Sequence, residues 1–141
     1  MSAAMSRKVS LLVLFGLALA MPGCTSAAAE GGSPMVGTRW RLTAIDGLAP
    51  DKPEAARMTF ERDRFSASAG CNTIGGDYRL EGGRMIAASV MATQMYCASQ
   101  IMSQEQAVNA LLAGAPQIER QGQRLRLASA GHSLEAISLA N

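Results

Sequence analysis

Histidine is almost absent from this chain, with one residue, His132, in 141. The three cysteines form no C-x-x-C pair, so neither a histidine–cysteine zinc cluster nor a dithiol redox motif is encoded. No G-x-S-x-G elbow precedes a helical pattern, and no G-x-G-x-x-G or phosphate-cradling loop is present. Aromatic residues are scarce, one Trp, two Tyr and three Phe, so small and aliphatic side chains must fill any core. Net charge is also lacking. Thirteen basic residues face eleven acidic ones, and Arg7 and Lys8 belong to a segment expected to be removed. The remaining balance is neutral and gives no electrostatic basis for binding nucleic acid.

What is present begins with an export signature. Arg7-Lys8 precedes the apolar run Leu11 to Met21, which suits a secretory signal and is short for a membrane span. Pro22-Gly23-Cys24 follows and resembles a bacterial lipobox, in which Cys24 becomes the lipidated first residue. Met21 and Pro22 are poor matches to that pattern. Cleavage before Glu30, after the A-x-A of Ala27 to Ala29, is the alternative. The expected organisation is a signal peptide over 1–23, a flexible tether over 24–36 and one domain over 37–141. The expected location is the periplasmic side of the envelope, on the outer membrane through a lipid on Cys24, or soluble in the periplasm if that cysteine is cleaved away. Thr25 after the cysteine favours outer-membrane sorting under the enteric pattern. Either route leaves Cys71 and Cys97 as an even pair, which in an exported chain reads as a disulfide.

Within the domain, alternation predicts strands over Thr38–Ala44, Ala56–Glu61 and Phe65–Ala69. Shorter strands are predicted at Tyr78–Leu80, Met85–Val90, Ile118–Arg120, Leu125–Ala128 and Leu134–Leu139. Between Ser99 and Ala113 the period changes. Ile101, Val108, Leu111 and Leu112 share a helical face, Ser103-x-x-Gln106 fits a capping box, Ser99 is an earlier cap candidate, and Gly114 with Pro116 ends the helix. Gly75-Gly76 and Gly82-Gly83 read as turns. Five strands, one helix and three strands with short connections predict an α+β fold. Its sheet is antiparallel, strongly curved and barrel-like, with about eight short strands and one helix packed on it.

The stretch from Phe65 to Cys97 organises the rest. Gly70-Cys71-Asn72, Gly76-Asp77-Tyr78, Thr93-Gln94-Met95-Tyr96-Cys97 and Met102-Ser103-Gln104-Glu105 together resemble the META/HslJ domain of bacterial heat-shock lipoproteins, from about Gly37 to the C-terminus. Gly70, Asn72, Gly76, Tyr78, Thr93, Met95 and Glu105 carry that resemblance. Gln94 stands where the family often has Arg, so no role for a basic side chain carries over. The resemblance implies the same barrel-like architecture and a stress-linked or antibiotic-tolerance role in the envelope.

The remaining candidates have plainer readings. His132 sits in a glycine-flanked turn and reads as a solvated loop residue rather than half of a dyad with Cys71. Met85, Met91, Met95 and Met102 could bind Cu(I), but methionine is also the usual filler of an irregular core. Asn72 and Thr93 read as bonding nearby turn backbone. Arg39, Arg41, Arg124 and Arg126 form basic strand faces. No catalytic, cofactor or metal residues are expected. The expected function is that of a non-enzymatic, monomeric envelope domain with an envelope protein as its partner. The alternative is a binding module or an inhibitor of a secreted hydrolase such as lysozyme.

Overall fold

A computed structural model of the chain describes residues 34–140. The segment before Pro34, with Cys24, the signal peptide and most of the tether, lies outside the described residues.

Nine strands and one helix follow in the order β1 (Arg39–Ile45), β2 (Arg57–Phe60), β3 (Arg64–Ser68), β4 (Ile74–Glu81), β5 (Arg84–Ala87), β6 (Met91–Ala92), α1 (Ser99–Ala113), β7 (Gln117–Gln121), β8 (Arg124–Ser129) and β9 (His132–Leu139). The strands are neighbours in the order β3-β2-β1-β9-β8-β7-β5-β4, and β4 pairs back onto β3. Eight antiparallel strands therefore close a barrel, and β6 is an extra strand on β4. Closure removes most of the free edge that an open sheet would present. The predicted barrel-like sheet with one helix is the architecture found.

The closing ladders are unequal. β1 and β9 pair from Arg39↔Leu139 to Ile45↔Leu134, whereas β5 and β7 share the single pair Arg84↔Gln117. The barrel is thus two meanders, β1–β5 and β7–β9, joined broadly on one side and narrowly on the other. The Arg84 guanidinium donates to the Ala115 carbonyl across the narrow joint.

Inward-facing residues alternate as the barrel requires. Trp40, Leu42, Met58, Phe60, Phe65, Ala67, Leu125, Leu127, Leu134 and Ala136 are buried in one cluster with Ala107, Val108, Leu111 and Leu112 of α1. Tyr78 packs edge-on against Phe60 and Phe65 and donates its hydroxyl hydrogen to the Glu61 carbonyl. Trp40 lies under the Arg120 guanidinium, which also donates to the Pro34 carbonyl.

The helix belongs to one end of the barrel. β1, β3 and β8 run the same way, so all three finish at that end. Beyond β1, Gln104 bonds the Ala49 carbonyl and the Asp51 N–H. Beyond β3, Glu105 bonds the turn at 71–72. At the end of β8, the Ser129 hydroxyl bonds the Leu111 carbonyl.

Three local readings are corrected, and one short strand, β6, is added. β1 alternates only to Leu42. A bulge between Leu42 and Ala44 shifts the register, so Ile45 rather than Ala44 is fully buried. The pair Gly75-Gly76 is not a turn but lies inside β4, which begins at Ile74. The chain leaving β5 crosses Gly76 so closely that a Cβ there would run into the Ser89 carbonyl oxygen. Gly76→Ala should therefore lower stability by about 1–3 kcal/mol, read as a shift in the urea midpoint. An unchanged midpoint would mean that this crossing yields freely. Ser103 is no cap: the N-cap is Ala98, without a side-chain bond, and Ser103 lies inside the helix donating to the Ser99 carbonyl. β6, two exposed residues long, is too short to leave a periodic signal.

Candidate functional site

Three segments distant in sequence meet at the helix end of the barrel: the turn after β3, the segment 91–97, and the second turn of α1. Cys71 and Cys97 are joined by a disulfide, with their Cα atoms 6.3 Å apart. Asn72 and Glu105 lie beside it and are buried.

Glu105 accepts the backbone N–H groups of Cys71 and Asn72 through Oε1, and the Asn72 side-chain amide through Oε2 at 2.8 Å. Asn72 then reaches across to the other segment. Its Oδ1 accepts the Met95 N–H at 2.7 Å and the Thr93 hydroxyl at 2.9 Å, and its amide also donates to the Met95 carbonyl. Thr93 Oγ1 accepts the Thr73 N–H. Asn72 and Thr93 thus bond a segment some twenty residues away and not only the local turn. The motif residues of the turn, the 91–97 segment and the helix form one hydrogen-bonded clasp around the disulfide. No buried side-chain nitrogen or oxygen among the described residues lacks a partner.

Gly70 and Gly76 make backbone approaches that a Cβ would obstruct, against Lys52 and Ser89. Tyr78 belongs to the barrel core. These three shape the site without lining it.

Beside the clasp is a cleft of about 430 Å³, lined by Asn72, Ile74, Thr93, Met95, Tyr96 and Glu105, with Met102, Gln106 and Asn109 from the helix. Its rim is unusually apolar for a surface: Tyr96 is 100% exposed and Met95 55%, and nearby Met91 is 66% exposed. Another cleft, of about 340 Å³, lies on the outer faces of β7–β9 among Glu119, Arg124, Arg126 and Glu135. It contains none of the motif residues, so the clasp cleft is the better candidate site.

Cys71, Cys97 and Glu105 bring potential metal-ligand atoms within 4.8 Å of one another. The sulfurs are bonded to each other and the carboxylate already accepts three N–H groups, so the trio offers a cation no thiolate. The four methionines are dispersed by burial. Met85 is fully in the core, Met102 is half-buried and Met91 and Met95 are exposed.

His132 is not an isolated loop residue. It is the first residue of β9, and its Nδ1 lies 2.8 Å from Oδ2 of Asp46. Asp46 turns the chain after β1 at φ +50°, and its Oδ1 accepts the Ser133 N–H at 2.8 Å. Burial works to raise the Asp46 carboxyl, but the His132 and Ser133 hydrogen bonds and the imidazole charge outweigh it, and the pKa is lowered. A lowered folded-state pKa stabilises the fold above the unfolded value near 4, and that stabilisation is lost as pH falls through the folded value. Asp46→Asn, which keeps a residue tolerant of positive φ, should cost under about 1 kcal/mol at pH 7. It should also flatten the stability profile below about pH 4. Equal slopes for variant and wild type in acid denaturation would contradict this.

The residues that sequence reasoning missed are Gln104, Tyr96 and the Asp46–His132 pair. Gln104 offered one signal, a polar residue on the helical stripe of Ile101 and Val108.

The sequence model described as the META domain matches residues 33–141. No curated protein is similar enough in sequence to match. Solved structures that share the fold include an NMR structure at 25% identity and TM-score 0.62, covering 71% of this chain and 87% of that one. Another is the NMR structure of a protein from Burkholderia xenovorans, at 22% identity and TM-score 0.60, covering 86% and 100%. A third is the crystal structure of a DUF4847 family protein from Bacteroides vulgatus, at 14% identity and TM-score 0.53, covering 74% and 94%. The last two are evidence of fold alone.

Proposed function

Because this chain belongs to the META domain family, we propose that it acts by binding rather than catalysis, as a non-enzymatic domain of the cell envelope that engages another envelope protein. One observation carries the reading. The one carboxylate lining the clasp cleft, Glu105, is committed with Asn72 and Thr93 to internal hydrogen bonds, while the side chains of Tyr96 and Met95 stand exposed at its rim. General acid–base work needs a group within reach of substrate and free to move a proton. Binding needs a pre-ordered apolar anchor, which Tyr96 supplies.

A photo-crosslinking residue at position 96, introduced in living cells, should give a discrete protein adduct, and the same residue at Arg79 should not. No adduct from position 96, or the same products from both, would end this reading. The lipid anchor at Cys24, on the periplasmic side of the outer membrane, belongs to the same proposal and is supported by Arg7-Lys8, the apolar run and Gly23-Cys24. Intact mass decides between an acylated chain starting at Cys24 and an unmodified one starting at Glu30. A role in stress or antibiotic tolerance is the physiological side of the proposal and rests on the family resemblance.

A second reading, inhibition of a secreted hydrolase such as lysozyme, is favoured by the way the disulfide and Asn72 hold the Tyr96 loop in place, as an inhibitor loop requires. Titration of lysozyme with the protein tests it, and inhibition unaffected by Tyr96→Ala would contradict it.

A further inference from the structure

The described domain is close to neutral, yet its arginines are not evenly spread. Across the outer face of β2, β1, β9 and β8 the paired residues run Arg57↔Arg41, Arg41↔Ile137 and Ile137↔Arg124. The row is bounded by Ser68 beyond Arg57 and Gln121 beyond Arg124. This one row holds three arginines and no carboxylate across four strands; the acid on the same outer face, Glu135 two residues before Ile137 on β9, is paired with Arg126. Arg39, two residues before Arg41, extends the same face.

All four arginines are exposed, and none has a salt bridge among the described residues. With neighbouring strands about 4.8 Å apart, Arg41 and Arg57 oppose each other directly, an arrangement that is unfavourable for like charges. Arg126 makes the contrast. It sits between Glu119 and Glu135 on its two neighbouring strands.

The face also carries apolar side chains. Ile137 lies between Arg41 and Arg124, and the exposed Leu139 pairs with Arg39.

We propose that this face of the barrel docks on a membrane, with Arg39, Arg41, Arg57 and Arg124 meeting the phosphates of anionic phospholipid headgroups and Leu139 and Ile137 facing the interface. Guanidinium groups suit phosphate oxygens by geometry as well as charge. Basic residues interleaved with aliphatic ones fit a lipid surface, where both kinds of side chain find their medium. The arrangement sets the orientation of the domain. In the strand order β4 is diametrically opposite β9, so docking this face turns the cleft beside β4, β6 and α1 away from the membrane.

The test is co-sedimentation of the full chain with vesicles of phosphatidylcholine alone or containing phosphatidylglycerol. Binding through the apolar run at 11–21 is common to both vesicle types, and any preference due to Arg7 and Lys8 is the same in every variant, so it cancels between variants. The wild type should prefer the anionic vesicles, less so at high salt. Arg41→Gln, Arg57→Gln and Arg124→Gln should each weaken that preference roughly fivefold, and the triple variant on the order of a hundredfold. The single variants keep the result readable if the triple variant folds poorly. A control triple variant, Lys52→Gln with Arg62→Gln and Arg79→Gln, removes the same charge elsewhere and should keep most of the preference. Equal loss in both triple variants would reduce the effect to net charge and overturn the proposal, as would absence of any preference in the wild type. Displacement of the wild type by inorganic phosphate beyond that by chloride at matched ionic strength would point to a discrete phosphate site and also overturn it.

Discussion

Cys71→Ala with Cys97→Ala should melt ten degrees or more below the wild type. The bond closes a loop of 27 residues counted from one cysteine through the other (separation 26). Chain-entropy arithmetic for that length gives about 3.5 kcal/mol. A domain of this size has about 5–15 kcal/mol in all, and each kcal/mol moves its melting temperature by about 4–8 °C. The folded state adds to the loss. The Asn72 amide touches the Cys97 sulfur at 3.4 Å, and that sulfur lies against the Met95 carbonyl, so the sulfurs are packed within the clasp. Thermal unfolding with and without reductant measures the effect. Two free thiols in native protein labelled directly from the envelope would defeat the claim, as would a double variant that melts with the wild type.

Glu105→Ala should be comparably damaging for a different reason. Its carboxylate accepts two backbone N–H groups and one side-chain amide in a buried setting. Removing it leaves three donors without acceptors, at about 1–3 kcal/mol for each that water does not reach. Glu105→Gln is the more informative variant. Its carbonyl oxygen can still serve Cys71 and Asn72, but its NH₂ group would face the Asn72 NH₂ group, donor against donor. A loss of about 1–3 kcal/mol is expected. With Asn72→Ala as the second change, a double-mutant cycle should show coupling of about 0.5–3 kcal/mol. If Glu105→Gln unfolds at the wild-type urea midpoint, the negative charge is not what holds the turn to the helix.

These two sites differ in how far the sequence discloses them. The cysteine pairing follows from compartment and count, neither of which needs the fold. The Glu105–Asn72 bond joins residues 33 positions apart. Only the closed barrel, with β1, β3 and β8 ending together under the helix, brings them into reach. The same holds for Asp46 and His132, which are 86 positions apart.

Alternation identified β1–β3, β8 and β9 because each has one buried and one wet face, whereas β7 offered only the half-buried Ile118 between turn signals. It failed in β4, where a glycine pair serves a close crossing rather than a turn, and after Leu42, where one extra residue inverts the pattern. The helix stripe of Ile101, Val108, Leu111 and Leu112 was legible. Its start was not, because Ala98 caps nothing with its side chain. The exposure of Tyr96 left no trace in the sequence, since an aromatic beside a cysteine is more often inside.

The broad ladder between the first and last strands bears on how the barrel is made. Arg39 and Leu139 are 100 positions apart, and pairings so remote in sequence form slowly because their loop entropy must be lost first. Each meander can assemble from its own hairpins, and closure then waits for β9 to arrive. During that interval β1 is an open edge exposed to other nascent chains. The charged Arg39 and Arg41 on that edge are the kind of residue that discourages pairing with a stranger. The only tryptophan, Trp40, lies between them and is buried in the closed barrel. Its fluorescence should therefore report the slow closing phase of refolding directly, and a Trp40 signal complete before the β-sheet circular dichroism signal would reverse that order.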